Sequence, residues 1–225
     1  MKDSIMVLNN LNSVKHLTLE KRVYREILRG IISGKLTPGT SVTITELAEQ
    51  LGVSLMPVRQ ALKTLEAKNL IHIQKNRRLI IRKLSIDDLN ELFEIRMKLE
   101  HDAALNAARN CTEQTVERLK TLLAEMKDCN DTELYLEKNR EFHHTIYQSA
   151  GKPILFEIIE DLWHRVSPYM YLYLKRDVNN HDLYHEGILK GMRNRNPQEV
   201  CKWLKIDLKK AAQELADQLT AQPEK

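Results

Sequence analysis

Residues 30–71 read GIISGKLTPGTSVTITELAEQLGVSLMPVRQALKTLEAKNLI. Just before and into this stretch, Leu19, Val23, Ile27 and Ile31 recur at helical spacing, with Leu28 and Ile32 beside them. Gly34 and Pro38-Gly39 break that helix and turn the chain. A short β-prone run, Ser41–Ile44, follows. Thr45 is placed to cap a short helix, Glu46–Leu51, although Glu49 stands one position too late to complete a capping box with it. Gly52 ends that helix. Ser54 then caps a longer one, with Pro57 in its first turn and Val58, Leu62 and Leu65 on one face, up to Asn69. Two β-prone runs, Leu70–Gln74 and Leu79–Arg82, flank Lys75-Asn76-Arg77-Arg78, which reads as a hairpin with a basic tip.

Helix, short helix, glycine turn, longer helix and basic hairpin is the order of a winged helix-turn-helix. The major groove of DNA admits an α-helix, and the N-terminal residues of the second helix then face base edges. The charge distribution agrees with that expectation. The 225-residue chain carries a formal charge of +4, but residues 1–84 hold +9 and residues 85–225 hold −5. A basic front on an acidic body suits a polyanionic partner such as double-stranded DNA. Residues 1–16 read as a tail, 17–84 as the winged unit and 85–225 as a second, helical unit.

The quoted stretch resembles the N-terminal domain of the GntR family of bacterial regulators. The landmarks are Gly34 to Pro38-Gly39, Leu47-Ala48, Leu51-Gly52-Val53-Ser54, Pro57-Val58-Arg59, Ala61-Leu62 and Leu65-Glu66. The resemblance implies that Thr45 and Ser54 start the two helices of the motif against phosphates. It implies too that Arg59 reaches a base or phosphate, and that Lys75 and Asn76 lie at the wing tip; Arg77 and Arg78 join them on charge alone. The family usually carries an Arg directly after the serine. Here Leu55-Met56 stand before Pro57. Leucine cannot pair with guanine through two hydrogen bonds but can touch a thymine methyl, so an operator different from the family's usual one is expected. The alternative role for Leu55 and Met56 is a core or dimer contact.

Beyond Lys83 no glycine occurs until Gly151, and apolar residues recur at helical spacing. Helices are expected at about 86–109, 113–128, 132–149, 153–175, 180–194 and 197–219, joined by short loops into an antiparallel bundle. The fold class is therefore mostly α, a winged helix-turn-helix followed by an all-α bundle. Residues 85–109, SIDDLNELFEIRMKLEHDAALNAAR, and 137–155, EKNREFHHTIYQSAGKPIL, resemble the FCD effector domain of the FadR subfamily. Arg96 with Glu100 and the Phe142-His143 step are the clearest matches.

Many members of that subfamily hold a divalent metal with one Asp and three His. The corresponding positions here are Asn139, His143, His185 and Asp207. Spacing supports the grouping: Asn139 and His143 are one helical turn apart, and His185 and Asp207 each lie 11 residues from Asn196, so an antiparallel hairpin brings them level. Two imidazoles, a carboxylate and an amide oxygen suit Zn, Mn, Ni or Fe; the alternative is a buried pair of histidines hydrogen-bonded to Asp207. Arg96, by resemblance, points into the same cavity, where it needs an anion: Glu100 on its own helix, or the carboxylate of a small effector. Trp163, Arg165, Tyr169 and Tyr173 are candidates to line that pocket, with ordinary core and surface packing as their alternative. His16, His72, His101, His144, His164 and His181 read as surface or packing residues.

The whole is expected to be a ligand-responsive transcription factor, a homodimer matched to a palindromic operator. A metal-responsive regulator and a metalloenzyme fused to a DNA-binding unit are the alternatives, but no nucleophile motif or phosphate-binding glycine loop appears, so an enzyme is not expected. No apolar run nears the roughly 20 residues of a membrane span. Cys111, Cys129 and Cys201 form no paired motif, which fits a reducing cytoplasm.

Overall fold

The computed structural model describes residues 18–75, 78–173 and 178–221, without side chains at 173 and 178–182. Among the described residues nine helices and one three-stranded sheet form two hydrophobic cores in succession along the chain. The tail 1–16, Asn76 and Arg77, and the side chain of Tyr173 lie outside the described residues.

The first core is built by α1 (Leu19–Ile32), α2 (Ile44–Leu51), α3 (Leu55–Ala67) and the strands β1 (Ser41–Thr43), β2 (Ile71–Ile73) and β3 (Arg78–Ile81). Val23, Ile27 and Ile31 of α1 pack on Val58, Leu62 and Leu65 of α3, all buried. The helix of residues 44–51 starts two residues earlier than the Thr45 assignment required. Thr43 is its cap: the Thr43 hydroxyl accepts from the Glu46 backbone N–H, and the Glu46 carboxylate accepts from the Thr43 backbone N–H. That is a complete capping box, so Thr45 sits inside the first turn instead, exposed. Gly52 closes α2 with φ 64°, a left-handed value that glycine adopts without penalty. Ser54 occupies the N-cap of α3, as expected, but its hydroxyl makes no capping bond.

The expected two-strand wing is a three-strand antiparallel sheet in the order β1-β3-β2. Val42 and Ile73 both stand opposite Leu79, whose side chain is fully buried. The run at 41–43 thus covers the edge of the hairpin that would otherwise be open.

The second core is an antiparallel bundle of α4 (Ile86–Asn110), α5 (Glu113–Asp128), α6 (Thr132–Ser149), α7 (Pro153–Tyr173), α8 (Val178–Arg193) and α9 (Pro197–Ala221). Ser85 caps α4 through a second capping box, with Asp88. Close approach of α8 and α9 depends on two glycines. A Cβ at Gly191 would stand 2.9 Å from the Val200 backbone nitrogen, and one at Gly187 would meet the Trp203 ring at 2.4 Å. The tight hairpin these glycines permit brings His185 on α8 level with Asp207 on α9.

The two units are joined through α7. The Lys68 ammonium, at the C-cap of α3, bonds the Asp161 carboxylate at 2.5 Å. The Leu84 backbone N–H donates to the Tyr169 hydroxyl at 2.6 Å. No helix among the described residues is long and apolar enough to cross a membrane. All three cysteines are buried and free.

Candidate functional site

Three bundle helices deliver His143 (α6), His185 (α8) and Asp207 (α9) to one buried point, their ligand-capable atoms all within 4.8 Å of one another. His143 Nε2 lies 3.3 Å from His185 Nε2 and 3.3 Å from Asp207 Oδ2. Asn139, one turn before His143, is also buried.

The protonation of His143 follows from its other face. Tyr147, one turn after it, donates its hydroxyl hydrogen to Glu100 Oε2. Burial, then the neighbouring Glu100 charge, raises the Tyr147 pKa well above 10, so that hydrogen stays on the phenol. The phenol oxygen is 3.3 Å from His143 Nδ1 and can accept from it. With its hydrogen on Nδ1, His143 presents the Nε2 lone pair toward His185 and Asp207.

That arrangement fits a divalent ion on an observation of this fold. Ligand atoms held about 2.0–2.1 Å from a tetrahedral ion lie roughly 3.3 Å from each other. The two Nε2 atoms, and the His143 nitrogen with the Asp207 oxygen, have that spacing. It is long for a hydrogen bond between them. Two imidazoles and a carboxylate are also a donor set that first-row divalent metals accept.

Arg96 and Glu100 stand one helical turn apart on α4 and form a buried pair, Nε to Oε1 at 2.6 Å. Glu100 is well satisfied: it accepts from Arg96, from Trp163 Nε1 at 3.1 Å and from Tyr147. Arg96 is not. Its Nη1 is buried with no hydrogen-bond partner, while its guanidinium carbon lies 4.4 Å from the centre of the Trp163 ring and 4.8 Å from that of Phe93. The Trp163 ring in turn lies 5.5 Å from the His143 ring. A guanidinium with one edge unsatisfied, beside a metal-competent cluster, is disposed to receive a second carboxylate.

Two of the expected pocket residues are elsewhere. Arg165 and Tyr169 line a separate cavity between the two cores. The helical period explains it: position 165 is about 200° around α7 from Trp163, whereas 165 and 169 share a face. Of the surface or packing role expected of them, His144 and His164 take the packing one, the His144 ring standing edge-on to Phe156 and Trp163. Both are largely buried beside Arg140, whose Nη2 lies 3.2 Å from His164 Nε2. Burial first, then the Arg140 charge, lowers His144 to about 3 and His164 to about 4. Tyr147 was absent from the expected set; its one-turn spacing from His143 was the available signal.

On the N-terminal unit, α3 buries Pro57, Val58, Ala61, Leu62 and Leu65 and turns its other face outward. That outer face carries Leu55, Met56 and Arg59, with Met56 63% exposed and Leu55 38%. Neither apolar side chain is taken up by the core of its own chain. Gln60 and Lys63 share the exposed face and were not singled out from the sequence. Lys75 is exposed at the β2–β3 turn, and Arg78 Nε donates to Ser41 Oγ at 2.9 Å.

The profile of the bacterial regulatory proteins of the gntR family matches residues 19–81, and that of the FCD domain matches residues 91–209. The HTH-type transcriptional regulator McbR of Escherichia coli K12 is 33% identical over 173 residues, 76% of this chain and 78% of McbR. YcbG of Bacillus subtilis, described as an uncharacterized HTH-type transcriptional regulator, is 29% identical over 206 residues, 84% of this chain and 87% of YcbG. The solved structure of E. coli McbR/YncC superposes with a TM-score of 0.84 at 28% identity, covering 90% of this chain and 99% of that one.

Proposed function

Because this chain belongs to the GntR family of bacterial transcriptional regulators and carries the FCD effector domain, we propose that its ligand is a small organic acid held beside a divalent ion in the helical core. The observation that carries this reading is the juxtaposition of the His143–His185–Asp207 cluster with the unsatisfied Nη1 of Arg96 across Trp163. His143, His185 and Asp207 hold the ion, with Asn139 as a fourth donor. A bound ion supplies a Lewis-acidic point for one carboxylate oxygen. Arg96 supplies a charged donor for the other, and Glu100, bonded by three donors, keeps Arg96 in place.

The winged unit, residues 17–84, binds operator DNA through Thr45, Ser54, Arg59 and the wing, with Leu55 and Met56 at base edges. Residues 85–225 bind effector and pair two chains into a homodimer in the cytoplasm. Regulation follows if the acid binds one orientation of the winged units more tightly than another.

Elemental analysis of the gently purified full-length protein tests the site. Close to one divalent ion per chain is expected, lost in His143→Ala and in His185→Ala together with a lower unfolding temperature, since a bound metal contributes folding free energy. An ion-free protein after addition of each metal from Mn to Zn would refute the metal and leave Arg96 as the sole acid anchor.

A further inference from the structure

Between the two cores lies a cavity of about 170 Å³. Its apolar wall is shared: Ile31, Leu70 and Ile81 come from the N-terminal core, and Leu92, Leu162 and Pro168 from the bundle. Arg165 of α7 projects into it. The side chain is partly buried, its Nε is buried without a hydrogen-bond partner, and it forms no ion pair among the described residues.

Other charges line the cavity, but most are already engaged. Arg82 donates to Asn69 Oδ1 at 3.1 Å. The Asp88 carboxylate accepts from the Ser85 backbone and hydroxyl at the start of α4, where the helix dipole also favours its charge. Two guanidinium groups and two carboxylates, Asp88 and Glu91, thus line the cavity without a net charge, but neither carboxylate forms an ion pair with Arg165. A partly buried guanidinium with an unmet donor and no carboxylate paired to it, set beside an apolar wall, is disposed to receive an anion.

We propose that this junction cavity is a second ligand site, separate from the His143 cluster, that takes a small monocarboxylate with a short apolar body, anchored by Arg165. The carboxylate pairs with Arg165, and the apolar body fills the space between Leu70 and Leu162. Such a ligand touches both units at once. It sits beside two of the bonds that join them, Leu84 to Tyr169 and Lys68 to Asp161. Occupancy therefore fixes how the DNA-reading unit is held against α7, and does so without involving the bundle core.

Titration of the full-length protein with 4-fluorobenzoate, followed by fluorine NMR, tests the site. Binding is expected in the wild type and in His143→Ala. It should weaken at least tenfold in Arg165→Gln, recover in part in Arg165→Lys, and be lost in Leu162→Phe, which fills the apolar wall while leaving every charge in place. Thermal unfolding of each variant reports folding; if Arg165→Gln does not fold, Leu162→Phe decides. Absence of binding to the wild type overturns the proposal. So does wild-type affinity in a folded Arg165→Gln or in Leu162→Phe, or loss of binding in His143→Ala alone.

Discussion

The Arg96 guanidinium lies 4.4 Å from the centre of the Trp163 ring, and both side chains donate to the same oxygen of Glu100. One carboxylate thus orients the cation and the aromatic face against which it rests. The arrangement leaves Nη1 as the donor that a ligand must satisfy.

From this comes the first prediction. An acid identified by a thermal-shift screen of carboxylates should raise the unfolding temperature of the wild type, because it binds only the folded state. Arg96→Gln should weaken that acid by about 1.5–3 kcal/mol, the usual contribution of a hydrogen bond to a charged group. Calorimetry on the two proteins measures the difference. Equal affinities would remove Arg96 from the binding site.

Asn139→Asp is expected to tighten the metal. A carboxylate in place of a neutral amide, one turn from His143, adds a charged oxygen to the donor set. Competition with a chelator should show a lower Kd for the variant. The same substitution without metal should lower the unfolding temperature, since the site is buried and the new charge has no partner. A variant that is equally stable with and without metal would exclude Asn139 from the site.

On the DNA side, operator affinity should fall steeply with salt as counterions are released. Arg59→Ala should cost about 1–3 kcal/mol if Arg59 pairs with a guanine through two hydrogen bonds. Leu55→Arg should shift the sequences recovered from a random DNA library toward guanine at the position facing residue 55. Identical libraries from wild type and Leu55→Arg would show that position 55 reads no base.

Acid stability should report His144 and His164. Burial holds them at about 3 and about 4, below the ordinary 6.5, so both are neutral in the folded protein. In the unfolded chain they take up protons as the pH drops through 6.5. Their contribution to stability is therefore complete above about pH 6.5 and is lost progressively down to pH 4 and then 3. Each histidine approaches a slope of about 1.4 kcal/mol per pH unit within that window. Urea unfolding between pH 6.5 and 5, above most carboxylate titration, should show the decline, and the His144→Gln/His164→Gln double variant should flatten it. An unchanged slope in the double variant would mean that other groups carry the acid sensitivity.

The order of elements and the outward face of α3 were legible in the sequence, because they depend on local periodicity and on breakers such as Gly52, Asn69 and Gly151. The convergence of His143, His185 and Asp207 was legible in part, since equal distance from the Asn196 turn places two residues level on a helical hairpin. Local rules misjudged the cap of residues 44–51, where Thr43 and Glu46 satisfy each other and Thr45 does not take part. They also placed Arg165 and Tyr169 beside Trp163, although the rotation of α7 turns them toward the other core. Tertiary structure decided three things: that Glu100 gathers three donors, that Tyr147 gives its hydrogen to Glu100 and so can accept from His143, and that Arg165 faces a cavity shared by both units. Each depends on packing between helices: Tyr147 and Trp163 reach Glu100 from α6 and α7, and it is the hydrogen Tyr147 gives to Glu100 that leaves its oxygen open to His143. Spacing along one helix fixes which residues share its face, but what that face meets is settled only when the helices pack.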